Sequence, residues 1–251
     1  MMKDRRVALV TGAAQGIGFG VADRLGMLGH HVVLLDRDAA SLAAAAEAFG
    51  DRGYSVSSLE CDVASDASAR DAISDVEKRF GRLDILINNA GISPSHGGYS
   101  QLVEDVPLEE WDRVLAVNLT GTFSMCRHAL PLMKAGKWGR IVNFSSQGGR
   151  MRSLLSGAHY AATKAGLIGF TRVLAGQVGA HGITANCIAP GRIDTEQSRS
   201  FGDTDTYLNQ LPVGRFGEAA DIATGVEYLV SEGAGFVTGT VLDINGGFYM
   251  T

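Results

Sequence analysis

Val7-Ala8-Leu9-Val10-Thr11-Gly12-Ala13-Ala14-Gln15-Gly16-Ile17-Gly18 reads as a short strand, a glycine-rich turn and the first turn of a helix. The opening run is apolar and rich in β-branched side chains, which suits a strand buried on both faces. Glycines at 12, 16 and 18 follow, and a helical pattern then runs to Leu28. Such glycines permit a tight turn and let a diphosphate sit against the helix start, where free N–H groups and the helix dipole favour anions. Gly12, Gln15, Gly16, Ile17 and Gly18 are therefore candidate cofactor contacts. The spacing is G-x-x-x-G-x-G rather than the usual dinucleotide G-x-G-x-x-G.

The alternation continues beyond this unit. Strands are predicted at 31–36, 54–61, 85–87, 140–145, 183–188 and 241–244. Between them, helices are predicted to about residue 52 and over 65–80, 107–134, 159–180 and 218–231. Short apolar strands alternating with helices predict an α/β fold. Right-handed crossovers then favour a single-domain, Rossmann-type, doubly wound parallel β-sheet with helices on both faces. No linker, repeat or low-complexity break divides residues 1–251, so one dinucleotide-binding and catalytic domain is expected. Residues 191–213 lack clear periodicity and are the expected substrate-binding loop.

With 45% hydrophobic and 20% charged residues, the chain can bury a sizeable core and does not read as disordered. A formal net charge of −5 gives no electrostatic reason to expect nucleic acid or an anionic membrane as partner. Cys61, Cys126 and Cys187 form no CxxC pair, and with the six histidines they show no metal-ligand spacing. Buried thiols and no metal are expected. The sequence shows no signal peptide and no apolar run near the ~20 residues needed to cross a bilayer, so a cytoplasmic protein is expected.

Further candidates fall at strand ends. Asp36 closes the second predicted strand, about twenty residues past the glycine turn, where a carboxylate accepts hydrogen bonds from the adenosine ribose hydroxyls. It also repels the extra phosphate of NADP, which favours NAD as cofactor. Arg37 beside it can pair with that phosphate, so NADP stays the less favoured alternative. Asp62 and Val63 close the third strand, where the adenine amino group is expected. Asn88-Asn89-Ala90-Gly91 closes the fourth, with Asn89, Ala90 and Gly91 suited to contacts near a ribose. Ligands of open α/β sheets bind outside the carboxyl ends of strands, which gathers these motifs into one crevice.

Tyr160 and Lys164 stand at i and i+4 on a predicted helix, hence on one face. A free phenol titrates near ~10, and a neighbouring ammonium lowers that value towards the range useful for acid–base work. Ser146 follows the predicted strand 140–145, where its hydroxyl can bond a substrate oxygen; Ser145 competes, since alternation points one of the two away. Asn118 lies in the long helical segment before it, where an amide can hold a water or a carbonyl on a proton path.

With these residues the chain resembles the short-chain dehydrogenase/reductase family over essentially its whole length. The family's T-G-x-x-x-G-x-G matches residues 11–18, and its N-N-A-G matches 88–91. Its catalytic Asn, Ser, Tyr and Lys fall on Asn118, Ser146, Tyr160 and Lys164. Its P-G falls on Pro190-Gly191, and Thr195, with the backbone of Ile193, matches the contact to the nicotinamide carboxamide. The resemblance implies an NAD(P)-dependent oxidoreductase that moves hydride without a metal. Tyr160 then transfers the proton, and Lys164 lowers the tyrosine pKa and bonds the nicotinamide ribose. Ser146 holds the substrate oxygen, and Asn118 supports a water relay.

The interval from Ser146 to Tyr160 is one residue longer than the commonest family pattern, which places an insertion in 147–159 and keeps Ser145 in contention. Ser146, Gln147, His159 and Tyr160 are the expected substrate contacts. Leu154, Leu155 and Phe201 join the pocket candidates, while Arg150, Arg152 and Arg192 are expected to face solvent. The leading substrate class is a sugar, polyol or small secondary alcohol with NAD. The alternative is a 3-oxoacyl-[acyl-carrier-protein] reductase, an activity that usually goes with NADPH. A non-catalytic NAD-binding regulator is disfavoured because all of Asn118, Ser146, Tyr160 and Lys164 are present. The family commonly forms homotetramers, and the aromatic tail 247–251 is expected to pack against a neighbouring subunit.

Overall fold

Side chains alternate along β1 (Val7–Thr11), sending Val7 and Leu9 into one core and Ala8 and Val10 into another. Burial on both faces requires cover on both faces. The computed structural model describes residues 5–152, 156–195, 198 and 204–250. In it β1 pairs in parallel with β2 (His31–Asp36) and β4 (Ile85–Asn88), and β2 pairs with β3 (Val56–Glu60). From β4 the sheet passes through β5 (Gly139–Phe144) and β6 (Ile183–Pro190) to β7 (Val241–Ile244), again in parallel. The seven strands stand in the order β3-β2-β1-β4-β5-β6-β7.

Helices α3 (Asp66–Phe80), α5 (Gly121–Gly136) and α6 (Ala158–Val178) pack their apolar residues on the face that holds Leu9. Helices α1 (Gly16–Met27), α2 (Ala39–Asp51) and α8 (Ala219–Val230) cover the face that holds Val10. This is the doubly wound α/β architecture expected from the alternation. Winding reverses beside β1, and the crevice outside its carboxyl end is where such sheets bind ligands.

Local chemistry sets the helix ends. The Asp38 carboxylate accepts from the N–H groups of Ala40 and Ser41 at 3.1 and 3.2 Å and starts α2, and the Ser65 hydroxyl accepts from Ser68 N–H at 3.3 Å and starts α3. Helix α1 differs: its N-cap, Gln15, makes no side-chain cap.

The predicted helix 107–134 is interrupted. It divides into α4 (Leu108–Leu115), a π turn (Ala116–Thr120) and α5, with Gly121 N–H closing on the Ala116 carbonyl. A π turn accommodates one extra residue, which a 3.6-residue apolar repeat does not report. The expected loop 191–213 carries a short helix, α7 (Thr204–Leu208). Leu154, Leu155 and Phe201 lie outside the described residues. Among the described residues no helix is long and apolar enough to cross a membrane, and no His, Cys, Asp and Glu group could hold a metal ion.

Candidate functional site

A cleft of about 1340 Å³ opens at the carboxyl ends of the strands. Its floor at β1 is the glycine turn. Gly12 and Gly16 both adopt positive φ, +64° and +57°, a region that L side chains avoid. A Cβ at Gly12 would also stand 2.9 Å from Asn89 Nδ2 and 3.0 Å from Ala90 Cα. The start of α1, free of a side-chain cap from Gln15, suits an anionic group. Gly18 does not line the cleft: a Cβ there would lie 2.0 Å from the Gly12 carbonyl oxygen, so its bareness lets α1 lie against the turn.

Asn89 braces this turn from β4. Its Nδ2 donates to the carbonyls of Thr11 and Gly12 at 3.0 and 3.1 Å, while Asn89 and Ala90 N–H both donate to Thr11 Oγ1 at 3.0 Å. Asp36 is held toward the same turn: Oδ2 accepts from Ala14 N–H and Oδ1 from Asp38 N–H, each at 3.2 Å. Asp62 accepts from Ala64 N–H at 3.0 Å. Arg37, Val63 and Gly91 line the cleft beside these residues.

The chemical end lies where β5 meets α6. Ser145 donates to the Lys164 carbonyl at 2.8 Å, whereas Ser146 lies beside the Tyr160 phenol on the cleft wall. Alternation along the chain thus turns Ser146, not Ser145, toward the tyrosine. Lys164 Nζ donates to the Phe144 carbonyl at 2.7 Å and lies 5.4 Å from the Tyr160 ring centroid. Burial pushes the Lys164 ammonium down to about 8. Burial likewise pushes the Tyr160 phenol up, against a smaller downward pull from the Ser146 hydrogen bond. The expected lowering by the ammonium does not set the direction; desolvation does. A protonated phenol beside a hydroxyl, both on the cleft wall, can hold a substrate oxygen and pass it a proton.

Asn118 is fully buried in the π turn and does not line the cleft. Its Oδ1 accepts from Ile92 N–H at 2.8 Å, and its Nδ2 donates to the Ile92 carbonyl at 2.9 Å and Thr163 Oγ1 at 3.2 Å. The amide expected to hold a water therefore clamps the backbone behind Gly91. A Cβ on Gly91 would lie 3.3 Å from both Asn118 Oδ1 and Lys164 Nζ, so the two groups sit close to one another.

Across the cleft, Pro190 ends β6, and the N–H of Gly191 just after it donates to the Ile244 carbonyl at 2.9 Å. Ile193 bridges to Gly217, and Thr195 exchanges hydrogen bonds with Ser198 at 3.0 and 3.2 Å. The Thr195 methyl faces the glycine turn, 3.6 Å from where a Gly16 Cβ would be.

Several expectations about the pocket change, and Arg192, expected to face solvent, lines the cleft and donates to the Ser198 carbonyl at 3.1 Å. His159 is 2% exposed and does not line the cleft, because it follows Gly157 into a contact with Glu110 on α4. Arg150 is not solvent-facing: it pairs with Asp243 at 3.2 Å and lies over the Tyr249 ring. Phe248 of the tail stacks on Tyr207 of the same chain, ring centroids 4.4 Å apart, and lines the cleft.

Tyr207, on α7, is not among the residues that the sequence singles out. Its hydroxyl donates to Gln147 Oε1 at 2.9 Å and accepts from Arg192 N–H at 3.2 Å, joining the 191–213 segment to the residue after Ser146. An aromatic residue within that loop was the available signal, but nothing periodic tied it to Gln147.

Comparison with known proteins covers nearly the whole chain. A family model described as enoyl-(acyl carrier protein) reductase matches residues 12–249. The 3-oxoacyl-[acyl-carrier-protein] reductase of Pseudomonas aeruginosa is 39% identical over 98% of both chains, and that of Escherichia coli 37% identical over 98% of both. A crystal structure of a 3-oxoacyl-[acyl-carrier protein] reductase from Brucella melitensis with bound NAD superposes with a TM-score of 0.91. It is 38% identical and covers 100% of this chain and 93% of its own.

Proposed function

This chain belongs to the short-chain dehydrogenase/reductase family and is an oxidoreductase of CH–OH and carbonyl groups; from that premise we propose that it interconverts 3-oxoacyl and 3-hydroxyacyl thioesters with NAD(H). The names of its relatives support this substrate class over the sugar, polyol or small secondary alcohol that the sequence put first. The observation that carries the chemistry is the convergence of Ser146, Tyr160 and Lys164 on the cleft wall, with Lys164 Nζ 5.4 Å from the Tyr160 ring centroid. At the substrate end Arg152 and Arg192 line the cleft, and Asp36 and Asp62, at the other end, are the only carboxylates among its described lining residues. That balance suits an acyl group delivered on an anionic carrier.

The cleft fits a dinucleotide: Gly12 and Gly16 keep the turn clear of side chains over an uncapped helix start. Gly12, Gln15, Gly16 and Ile17 would hold the diphosphate, and Asp36 the adenosine ribose. Asp62 and Val63 would meet the adenine, Asn89, Ala90 and Gly91 the backbone side of a ribose, and Pro190, Gly191, Ile193 and Thr195 the nicotinamide end. When bound, the nicotinamide supplies hydride for reduction or accepts it in oxidation.

Ser146 orients the substrate oxygen, and Tyr160, kept protonated by burial, gives that oxygen its proton in the reductive direction. Lys164, anchored on Phe144, fixes the cationic side of the phenol and would bond the nicotinamide ribose. Asn118 holds Ile92 and Gly91 in place beside Lys164, where a proton relay would leave the site. Gln147 would contact the rest of the substrate. The choice of NAD over NADP rests on the Asp36 carboxylate and is consistent with the NAD bound to the Brucella melitensis relative. The reading includes a homotetramer, since Phe123 and Val173 leave apolar surface exposed on α5 and α6; light scattering at micromolar concentration tests it.

Initial rates with acetoacetyl-coenzyme A and NADH or NADPH, alongside a polyol and sugar panel with NAD, test the function. We expect the thioester with NADH to give the highest kcat/KM. A polyol or sugar turned over more efficiently would overturn the substrate class, and preference for NADPH would overturn the cofactor.

A further inference from the structure

Helix α6, which carries Tyr160 and Lys164, starts behind Gly157, a residue with no side chain to cap it. The first turn of a helix leaves backbone N–H groups without intrahelical partners. His159 takes one of them, accepting from the Tyr160 N–H at Nδ1 over 2.7 Å. A backbone N–H only donates, so Nδ1 is the bare nitrogen and the ring proton sits on Nε2. From there it is given to Glu110 Oε1 on α4 at 3.0 Å.

Glycine at the cap is the counterpart of this ring, because a Cβ on Gly157 would stand 2.6 Å from His159 Cε1. The other Glu110 oxygen, Oε2, pairs with His96 Nε2 at 3.0 Å. His96 N–H in turn donates to the Tyr99 carbonyl at 2.8 Å, in the segment whose Ser93 and Tyr99 line the cleft. One carboxylate therefore ties the cleft wall to the start of the tyrosine helix.

We propose that His159 is a positioning residue: held by Glu110, it fixes the first turn of α6 and so the place where the Tyr160 phenol meets Ser146. The inference rests on Tyr160 being the proton-transfer group. His159 takes no part in the proton path, since both ring nitrogens are engaged away from the cleft. It matters to the rate because a misplacement of about 1 Å in a reacting group can cost on the order of 10²-fold.

Two variants separate the two bonds of the ring. In His159→Asn, Oδ1 stands where Nδ1 was and still accepts the Tyr160 N–H, but the side chain cannot reach Glu110. In His159→Gln, the amide still reaches Glu110 but leaves no acceptor beside the Tyr160 N–H. We expect His159→Gln to lose kcat by about tenfold or more while KM and the NADH dissociation constant stay within about threefold. His159→Asn should keep kcat within about threefold of wild type.

Equal kcat in the two variants, or losses that simply follow their melting temperatures, would overturn the proposal. Tyr160→Phe is run in the same assay. Full turnover in that variant removes the reading of Tyr160 itself, whereas an inactive Tyr160→Phe with indistinguishable His159 variants removes only the positioning role. Should His159→Gln not fold, Gly157→Ala replaces it, since the added methyl drives the ring off the Tyr160 N–H. Combining it with His159→Asn, which has no ring to displace, should restore kcat; no restoration overturns the proposal.

Discussion

Lys164 donates from Nζ to the carbonyl of Phe144 at 2.7 Å, so a buried ammonium is anchored on the carboxyl end of β5. One neutral hydrogen bond compensates poorly for taking a charge out of water, and burial accordingly pushes the group down to about 8. Such an arrangement strains the fold for the benefit of the site.

Lys164→Met should therefore abolish turnover and yet stabilise the protein at neutral pH. An unfolded lysine keeps its ordinary value of 10.5, while the folded one titrates at about 8. Below about 8 the folded chain carries the full penalty of the charged lysine, on the order of 3 kcal/mol with the Phe144 bond already counted in it. Between about 8 and 10.5 the unfolded chain binds the extra proton, so wild-type stability climbs with pH and the penalty fades. Urea denaturation at neutral and at alkaline pH should show the variant ahead at first and its lead shrinking later. A variant less stable than wild type at neutral pH would contradict this account.

Tyr160→Phe removes the proton donor but keeps the ring that fills the cleft wall. Turnover should fall by roughly 10²- to 10⁴-fold, while NADH affinity, read by fluorescence titration, should stay within about threefold. Because burial holds the wild-type phenol protonated, its reductive rate should stay level across neutral pH and decline only in the alkaline range. A decline starting below neutrality would point to a different donor.

Local rules explain what could be read in advance. A strand, a glycine turn and a helix are contiguous, so residues 7–18 announced both the sheet and the turn that floors the cleft. Asp36, Asp62 and Asn89 follow from their places at strand ends. His159 departs from its expected substrate contact for a local reason: neighbours on a helix point about 100° apart, so a histidine next to a cleft-facing tyrosine turns elsewhere. Gly18 fits the motif without lining the cleft, because a motif does not distinguish a glycine that faces a ligand from one that lets two backbones touch. Contacts between distant segments had no local signal at all. Tyr207 with Phe248 and Arg150 with Asp243 join residues far apart in the chain, and only the closed sheet brings them together.

Asp36→Ser should loosen the cofactor preference. On the NAD reading the variant loses the carboxylate that would repel a 2′-phosphate, while Arg37, which lines the same cleft, remains to pair with one. The ratio of kcat/KM for NADPH over NADH should rise by about tenfold or more. The variant should also lose on the order of 1 kcal/mol, because the Ala14 and Asp38 N–H groups lose a charged acceptor. An unchanged ratio in a folded variant would mean that Asp36 braces the glycine turn and does not read the ribose.

Tyr207→Phe tests the link between α7 and the catalytic wall. The phenylalanine keeps the stack on Phe248 but gives up the donation to Gln147 and the acceptance from Arg192 N–H. Gln147 stands directly after Ser146, so its freedom should be felt in how the acyl substrate is held rather than in proton transfer. KM for the thioester is expected to rise by about threefold to tenfold with kcat nearly unchanged, the pattern of an interaction made equally in ground and transition states. Stability should fall by about 1 kcal/mol, since the Arg192 N–H loses its partner. Phe248→Ala, which keeps the hydroxyl contacts but removes the stack, should raise KM by a comparable factor if the aromatic pair acts as one support. A stability loss in both variants with KM untouched would confine Tyr207 to holding α7 in place, with no share in substrate binding.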